Sequence, residues 1–294
     1  MYSDPACPWA YSENPALRVI EWRYGPQLDW RLVVVGLSED TSRYAAHGYT
    51  PLRMVAGQLR FRDRYGMPFA SAPKPRLSPS SPACRAVVAA RLQSPGSDWR
   101  VFRALQLANF NEGLLFDDLG AMQRVLERVP GIDAAEVVAA IDSAEVIAEY
   151  ERDKAETRTA EGSPTELQGK AGNSDGKVRY TAPSVVFEAD GRRLEAGGFQ
   201  PVEAYDVLVV NLNPALSRRE PPETPGPLLE HFDGGLTTQE VAALMAHGNE
   251  APDRLATEAA LLELVAGDGA VRRPLGDDAL WLPAQAAQQS ALAA

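Results

Sequence analysis

The fold of this chain is decided by the stretch Asp4-Pro5-Ala6-Cys7-Pro8-Trp9-Ala10. It places Cys7 at the start of a predicted helix, where free backbone N–H groups meet the positive end of the helix dipole. Such a field favours the thiolate, so we expect Cys7 to have a lowered pKa and to act as a nucleophile near neutral pH. The common redox motif is Cys-x-x-Cys, but Ala10 occupies the second cysteine position. The motif therefore predicts thiol chemistry without a resolving cysteine of its own.

A second motif lies downstream, at Tyr180-Thr181-Ala182-Pro183-Ser184-Val185-Val186-Phe187. Together with Ser3–Trp9, it resembles the DsbA-like branch of the thioredoxin superfamily in its cytosolic, FrnE-like form, here as a monothiol Cys-Pro-Trp-Ala variant. The resemblance covers about residues 1–213. It implies an α/β, thioredoxin-like fold with a helical insertion at about residues 40–160.

The resemblance also implies where the site residues lie. Pro183 is expected to follow a cis peptide bond and to face Cys7, since a cis X–Pro bond turns the preceding backbone toward the thiol. The backbones of Thr181 and Ala182 would then bind a substrate or a small thiol. Pro8 and Trp9 would complete the binding site, with Trp9 either as an apolar wall of the cleft or as ordinary core packing.

The resemblance implies an enzyme, a thiol–disulfide oxidoreductase that acts through Cys7. A small thiol such as glutathione or mycothiol would resolve the mixed disulfide as a cosubstrate, and no cofactor would be bound permanently. One alternative is a small-thiol transferase or isomerase of the kappa-transferase or 2-hydroxychromene-2-carboxylate isomerase type. Another alternative is a non-catalytic thioredoxin-like adaptor.

The chain has two cysteines, which are too few for a disulfide framework. Cys7 could be a buried, inert thiol, but its position before Pro8 favours reactivity. Cys84 begins a predicted helix of the insertion, which favours a core thiol. In the alternative interpretation Cys84 resolves an adduct on Cys7.

Composition excludes several classes of function. A net charge of −11 argues against nucleic acid, because binding to phosphate depends on cationic contacts. No apolar run approaches the length of a membrane span, and no export signal is visible, so we expect a cytoplasmic protein without membrane contact. The three histidines have no metal-ligand spacing, so no metal site is expected.

The last part of the chain is predicted to form a separate unit. A proline-rich linker is predicted at 214–229, followed at 230–294 by a helix, a helix and a hairpin, which resemble a winged-helix α+β module. This unit has ten acidic residues and three arginines, so DNA would be repelled. We expect it to pack against the first domain or to bind a protein partner.

The N-terminus raises a question about the central sheet. Leu28–Leu37 is predicted to be a strand covered on both faces, and its neighbour in a thioredoxin-like fold is the strand before Cys7. Tyr2-Ser3 is expected to be too short to supply that strand. We therefore expect about five to ten further apolar residues upstream of Met1 in the natural protein, where they would satisfy the edge of the sheet.

Overall fold

The computed structural model describes residues 1–248 and 250–285. Its strands are β1 (Tyr2–Ser3), β2 (Val33–Val34), β3 (Gly172–Asn173), β4 (Val178–Arg179), β5 (Ser184–Ala189), β6 (Arg192–Gly197), β7 (Leu236–Thr237), β8 (Ala270–Leu275) and β9 (Asp278–Pro283). The central sheet has the order β2-β1-β5-β6, with β1 parallel to β2 and antiparallel to β5. This mixed sheet is the core of the thioredoxin-like fold that the sequence predicted.

The helices cover both faces of this sheet and form most of the insertion. They are α1 (Pro8–Ser12), α2 (Asn14–Tyr24), α3 (Ser42–Ala46), α4 (Pro51–Tyr65), α5 (Ser81–Gln93), α6 (Asp98–Asn111), α7 (Leu119–Leu126), α8 (Ala134–Ala140), α9 (Ala144–Thr157), α10 (Pro164–Leu167), α11 (Val202–Leu212), α12 (Gly226–His231), α13 (Thr238–Met245) and α14 (Arg254–Ala266).

The first strand is present, and the expectation that Tyr2-Ser3 could not supply it is wrong. The N–H groups of Val33 and Val35 donate to the carbonyl oxygens of Met1 and Ser3 at 2.9 and 2.8 Å, and Tyr2 pairs with Ser184 on the other side. Two residues are enough because helices bury the strand on both faces. The strand predicted at Leu28–Leu37 is shorter than expected, since only β2 at its centre is paired as a strand.

The helical insertion has a hydrophobic core of its own. Its helices α5–α9 pack around buried apolar side chains such as Val87, Leu105 and Phe116. Asp118, Asp133 and Ser143 cap three of these helices, because their side chains accept from backbone N–H groups of the first turn. The cluster includes Cys84 and Val34 of the central sheet, so the insertion and the sheet share one core.

The C-terminal part packs on α2 and α6. Trp22 of α2 shares a buried cluster with Leu228 and Trp281. The Arg103 guanidinium donates to both carboxylate oxygens of Glu240 at 2.7 and 2.8 Å, and this ion pair is buried. The helix, helix and hairpin occur in the expected order, with β7 added beside β9. The likeness to a winged helix and the division at 214–229 and 230–294 stay predictions; α12 begins inside the predicted linker, and residues 249 and 286–294 lie outside the described part.

Candidate active site around Cys7

Cys7 lies where β1 ends and α1 begins. Its backbone is extended (φ −80°, ψ 115°), and its carbonyl oxygen accepts the first helical bond from Tyr11 N–H at 3.0 Å. Pro8 occupies the first position of α1, where its missing N–H costs no hydrogen bond. Pro15 follows at the start of α2, and the two helices are separated by a break at Glu13. The thiol therefore sits at a helix N-terminus, as predicted.

The cysteine meets the second motif directly. The Cys7 thiol donates to the carbonyl oxygen of Ala182 at 2.9 Å, and the following Ala182–Pro183 bond is cis. Thr181 belongs to the same loop, because its carbonyl oxygen accepts from the Ser184 hydroxyl at 2.7 Å. Residues 175 positions apart in the chain thus form one site. Of the predicted site residues, Cys7, Pro8, Thr181, Ala182 and Pro183 come together here.

The electrostatics of Cys7 differ from the prediction. Burial raises the pKa of the Cys7 thiol to about 12, and the negative charge of Asp4 acts in the same direction. The backbone N–H groups of Ala10 and Trp9 lower the pKa of Cys7, as does the positive charge of Arg179, but burial outweighs them. The expected lowered pKa is wrong for this closed site, because the thiol is 5% exposed and α1 has only five residues to build a dipole.

Asp4 organises the active-site turn, a role that the sequence analysis did not assign. Its fully buried carboxylate accepts from the Ala6 and Leu37 N–H groups at 2.9 and 2.8 Å, and from the Ser80 hydroxyl at 3.0 Å. Burial raises the pKa of Asp4, and these hydrogen bonds oppose the rise. The signal in the sequence was Asp4-Pro5, since Asp before Pro favours a turn closed by its own side chain.

Cys84 is joined to the same carboxylate from the insertion. Its thiol donates to Asp4 Oδ2 at 3.4 Å from the first turn of α5, and its side chain is fully buried. Burial raises the pKa of Cys84 well above the usual range. Both Cys7 and Cys84 are free thiols. The structure therefore places Cys84 behind the active-site turn, as a buried thiol, and its role as a resolving cysteine stays a prediction.

Trp9 forms an aromatic wall beside the thiol. Its ring lies 4.7 Å from that of Phe61 and 5.8 Å from that of Tyr65, both on α4. Phe199, in the loop after β6, completes this aromatic wall at 5.7 Å from Trp9. Trp9 remains 42% exposed. Of the two interpretations of Trp9, the wall of a cleft fits this exposure better than core packing does.

Two further side chains act on the thiol and were missed by the sequence analysis. Arg179 is buried, and its guanidinium donates to neutral acceptors, the Ser174 hydroxyl and the Tyr180 carbonyl oxygen. Burial lowers the pKa of Arg179, and the charge of Arg158 lowers it further. Burial also raises the pKa of Tyr44, on which the charges of Asp4 and Cys7 act as well. Neither residue belongs to a sequence motif, and only the fold brings them to Cys7.

No metal site is found in the described part of the chain. Within residues 1–248 and 250–285, no group of three or more His, Cys, Asp or Glu side chains is placed to hold a metal ion. In that same part, none of the helices is both long and apolar enough to cross a membrane.

The chain matches one protein family and is similar to solved structures. The profile of the family described as DSBA-like thioredoxin domain matches residues 1–180. Comparison with curated protein sequences finds no match. Among solved structures, the chain is similar to a presumed protein disulfide isomerase from Nitrosomonas europaea, with a TM-score of 0.54 and 19% identity over 71% of this chain and 94% of that chain. It is also similar to the cytosolic disulfide reductase DsbM from Pseudomonas aeruginosa, with a TM-score of 0.51 and 19% identity over 73% of this chain and 98% of that chain.

At these identities the two solved structures support the thioredoxin-like fold alone. The family profile, however, covers more than half of the chain, including Cys7 and the helical insertion. The protein therefore belongs to the DSBA-like thioredoxin domain family and is a thiol-dependent oxidoreductase.

Proposed function

We propose that the protein is a cytoplasmic thiol–disulfide oxidoreductase in which Cys7 is the single nucleophile and a small thiol resolves the adduct. The observation that carries this proposal is the bond from the Cys7 thiol to Ala182, beside the cis Pro183 and with Ala10 in place of a second cysteine. The nucleophile and the strand-like edge that would bind a substrate are therefore in contact, while the motif has no second thiol.

The reaction is two thiol–disulfide exchanges. The Cys7 thiolate attacks one sulfur of a mixed disulfide, the substrate S–S bond breaks, and the departing thiolate takes a proton from water. Cys7 is then joined to the small-thiol half of the substrate. A second molecule of the small thiol, glutathione or mycothiol, attacks that half, releases Cys7 and leaves as the small-thiol disulfide. The substrate is released as its thiol, and one molecule of the small thiol is oxidised to a disulfide with the small-thiol half that the substrate supplied.

Ligand binding would also activate the nucleophile. In the closed site the Ala182 carbonyl oxygen accepts a hydrogen bond from the Cys7 thiol. An extended ligand that donates an N–H group to this oxygen would take the place of the thiol. The sulfur would then be stabilised by the N–H groups of Trp9 and Ala10 and by the charge of Arg179, all of which already favour the thiolate.

The second candidate is a small-thiol transferase or isomerase, and the observation that favours it is Ala10. An enzyme that adds a small thiol to an electrophile needs no second cysteine, whereas a self-sufficient disulfide oxidant does. In that case Cys7 would hold or orient the small thiol without net redox change.

The test compares the two reactions in one preparation. With glutathione and then mycothiol as the cosubstrate, we would measure reduction of a mixed disulfide and conjugation of 1-chloro-2,4-dinitrobenzene. We expect disulfide reduction that is lost in Cys7→Ser and kept in the matched control Cys84→Ser. Conjugation without disulfide reduction would support the transferase instead. If neither reaction is detected, both enzyme proposals are contradicted and the adaptor is favoured.

A further inference from the structure

A pocket next to the active-site turn contains a partly buried lysine, Lys74. It lies between α4, the loop before α5 and the end of α6, and its lining includes Tyr44 and Ala6, the residue before Cys7. The rest of the lining is mainly apolar, with Met54, Phe110 and Phe116 as its larger side chains. About 70 Å³ of the pocket is wide enough for the centre of a water molecule, which corresponds to about five waters, and the pocket is open to solvent, so a larger ligand would occupy it with one end only.

Lys74 is one of two cations that line this pocket, the other being Arg76. Its ammonium donates to the Asn109 side-chain oxygen and to the Leu114 carbonyl oxygen, the latter at 2.6 Å, and it lies 5.7 Å from the centre of the Phe116 ring. Both acceptors are neutral, and the nearby Asp117 carboxylate is paired with Arg76 at 2.6 Å. Within the described residues, the Lys74 charge thus has no carboxylate bonded to it.

A buried cation without an anionic partner is costly, and an incoming anion offsets that cost. Burial lowers the pKa of Lys74 to about 8, so the ammonium form still predominates at pH 7. The protein has a net charge of −11, which repels anions at long range, so a bound anion must be held by its short-range contact with the ammonium group. The apolar walls limit such anions to compounds with a ring or a short hydrocarbon body.

We propose that this Lys74 pocket binds the aromatic or apolar carboxylate end of the disulfide or thiol adduct on which Cys7 acts. This inference rests on the proposed function, because it names the substrate class of the same site. Ala6 joins the two parts: its own side chain lines the pocket, and the next residue carries the nucleophile. A ligand whose ring occupies the pocket would present its sulfur toward Cys7.

The first test uses two aromatic disulfides that differ in charge. One is 5,5′-dithiobis(2-nitrobenzoate), which has a carboxylate on each ring, and the other is the neutral 4,4′-dithiodipyridine. In either case the Cys7 thiolate attacks one sulfur, the S–S bond breaks, and an aromatic thiolate leaves whose absorbance gives the rate. We expect Lys74→Met to slow the first reaction about tenfold and the second less than twofold, since a charged hydrogen bond is lost only with the carboxylate.

Lys177→Met is the matched control, because it removes the same charge from an exposed side chain. It should change neither rate by more than about twofold, as expected of a screened surface charge. In the unaltered chain the preference for the carboxylate should also decline as the pH rises through 8, where Lys74 loses its proton, and Lys74→Met should not show this decline.

A second test does not depend on the chemistry of Cys7. Binding of 4-nitrobenzoate would be measured by calorimetry in Cys7→Ser and in Cys7→Ser combined with Lys74→Met, and we expect binding only in the former. The inference would be overturned if Lys74→Met slowed the reactions of both disulfides equally. It would also be overturned if Lys74→Met left the binding of 4-nitrobenzoate unchanged. Binding at Lys74 without any adduct on Cys7 would support the pocket and contradict the proposed nucleophile instead.

Discussion

The reactivity of Cys7 should be low in the resting enzyme and should rise steeply with pH. With its pKa raised to about 12 by burial, against an ordinary value of 9.0, about one molecule in 10⁵ carries the thiolate at pH 7. An unperturbed thiol would be about a thousand times more ionised. Iodoacetamide reacts with the thiolate, so the alkylation rate reports this fraction together with access to the sulfur.

The assay follows alkylation by mass spectrometry from pH 6 to pH 10 in Cys84→Ser, where Cys7 is the remaining cysteine. We expect a rate at pH 7 at least about a hundredfold below that of the same chain unfolded in guanidinium, and a rise of about tenfold for each pH unit. A rate at pH 7 that equals or exceeds the unfolded rate, with a midpoint below about 8.5, would refute the reasoning. The N–H groups of α1 would then outweigh burial.

Three other changes test the site and its support. Ala10→Cys should create a dithiol with Cys7 and add insulin-reducing activity, and no gain over the unaltered chain would mean that the cleft excludes protein disulfides. Trp9→Ala should open the aromatic wall and speed alkylation of Cys7 about tenfold or more, whereas an unchanged rate would mean that access lies elsewhere. Glu240→Gln should lower the free energy of unfolding by about 3–5 kcal/mol in urea, because it leaves the buried Arg103 charge unpaired. A loss below about 1 kcal/mol would show that water reaches this ion pair.

The local part of the site could be predicted from the sequence, because short-range rules determine it. Cys7 before Pro8 indicated a helix N-terminus, and the second motif indicated the loop that faces the thiol. These features depend on the conformations that proline allows to its neighbours. The structure agrees with them.

The sign of the Cys7 pKa change could not be predicted in the same way. It depends on how much water the folded chain leaves at the sulfur, and Cys7 shares a buried cluster with distant residues such as Val35, Ala160 and Tyr180. No pattern within residues 4–10 reports on those distant residues. Lys74 and Arg179 could not be predicted for the same reason, since a single basic residue gives no signal of burial.

The hydrogen bonds of Asp4 indicate which side of the site must open for catalysis. Its carboxylate joins the active-site turn to Leu37 next to the sheet and to Ser80 and Cys84 at the start of α5, all in the buried interior. Moving the turn away from the insertion would leave this carboxylate buried and unpaired, which is costly. The aromatic wall, by contrast, is held by ring contacts, and Trp9 at its centre is already partly exposed. We therefore expect the aromatic wall to move against α4 when a substrate reaches Cys7, while the turn that carries the thiol stays fixed on the insertion.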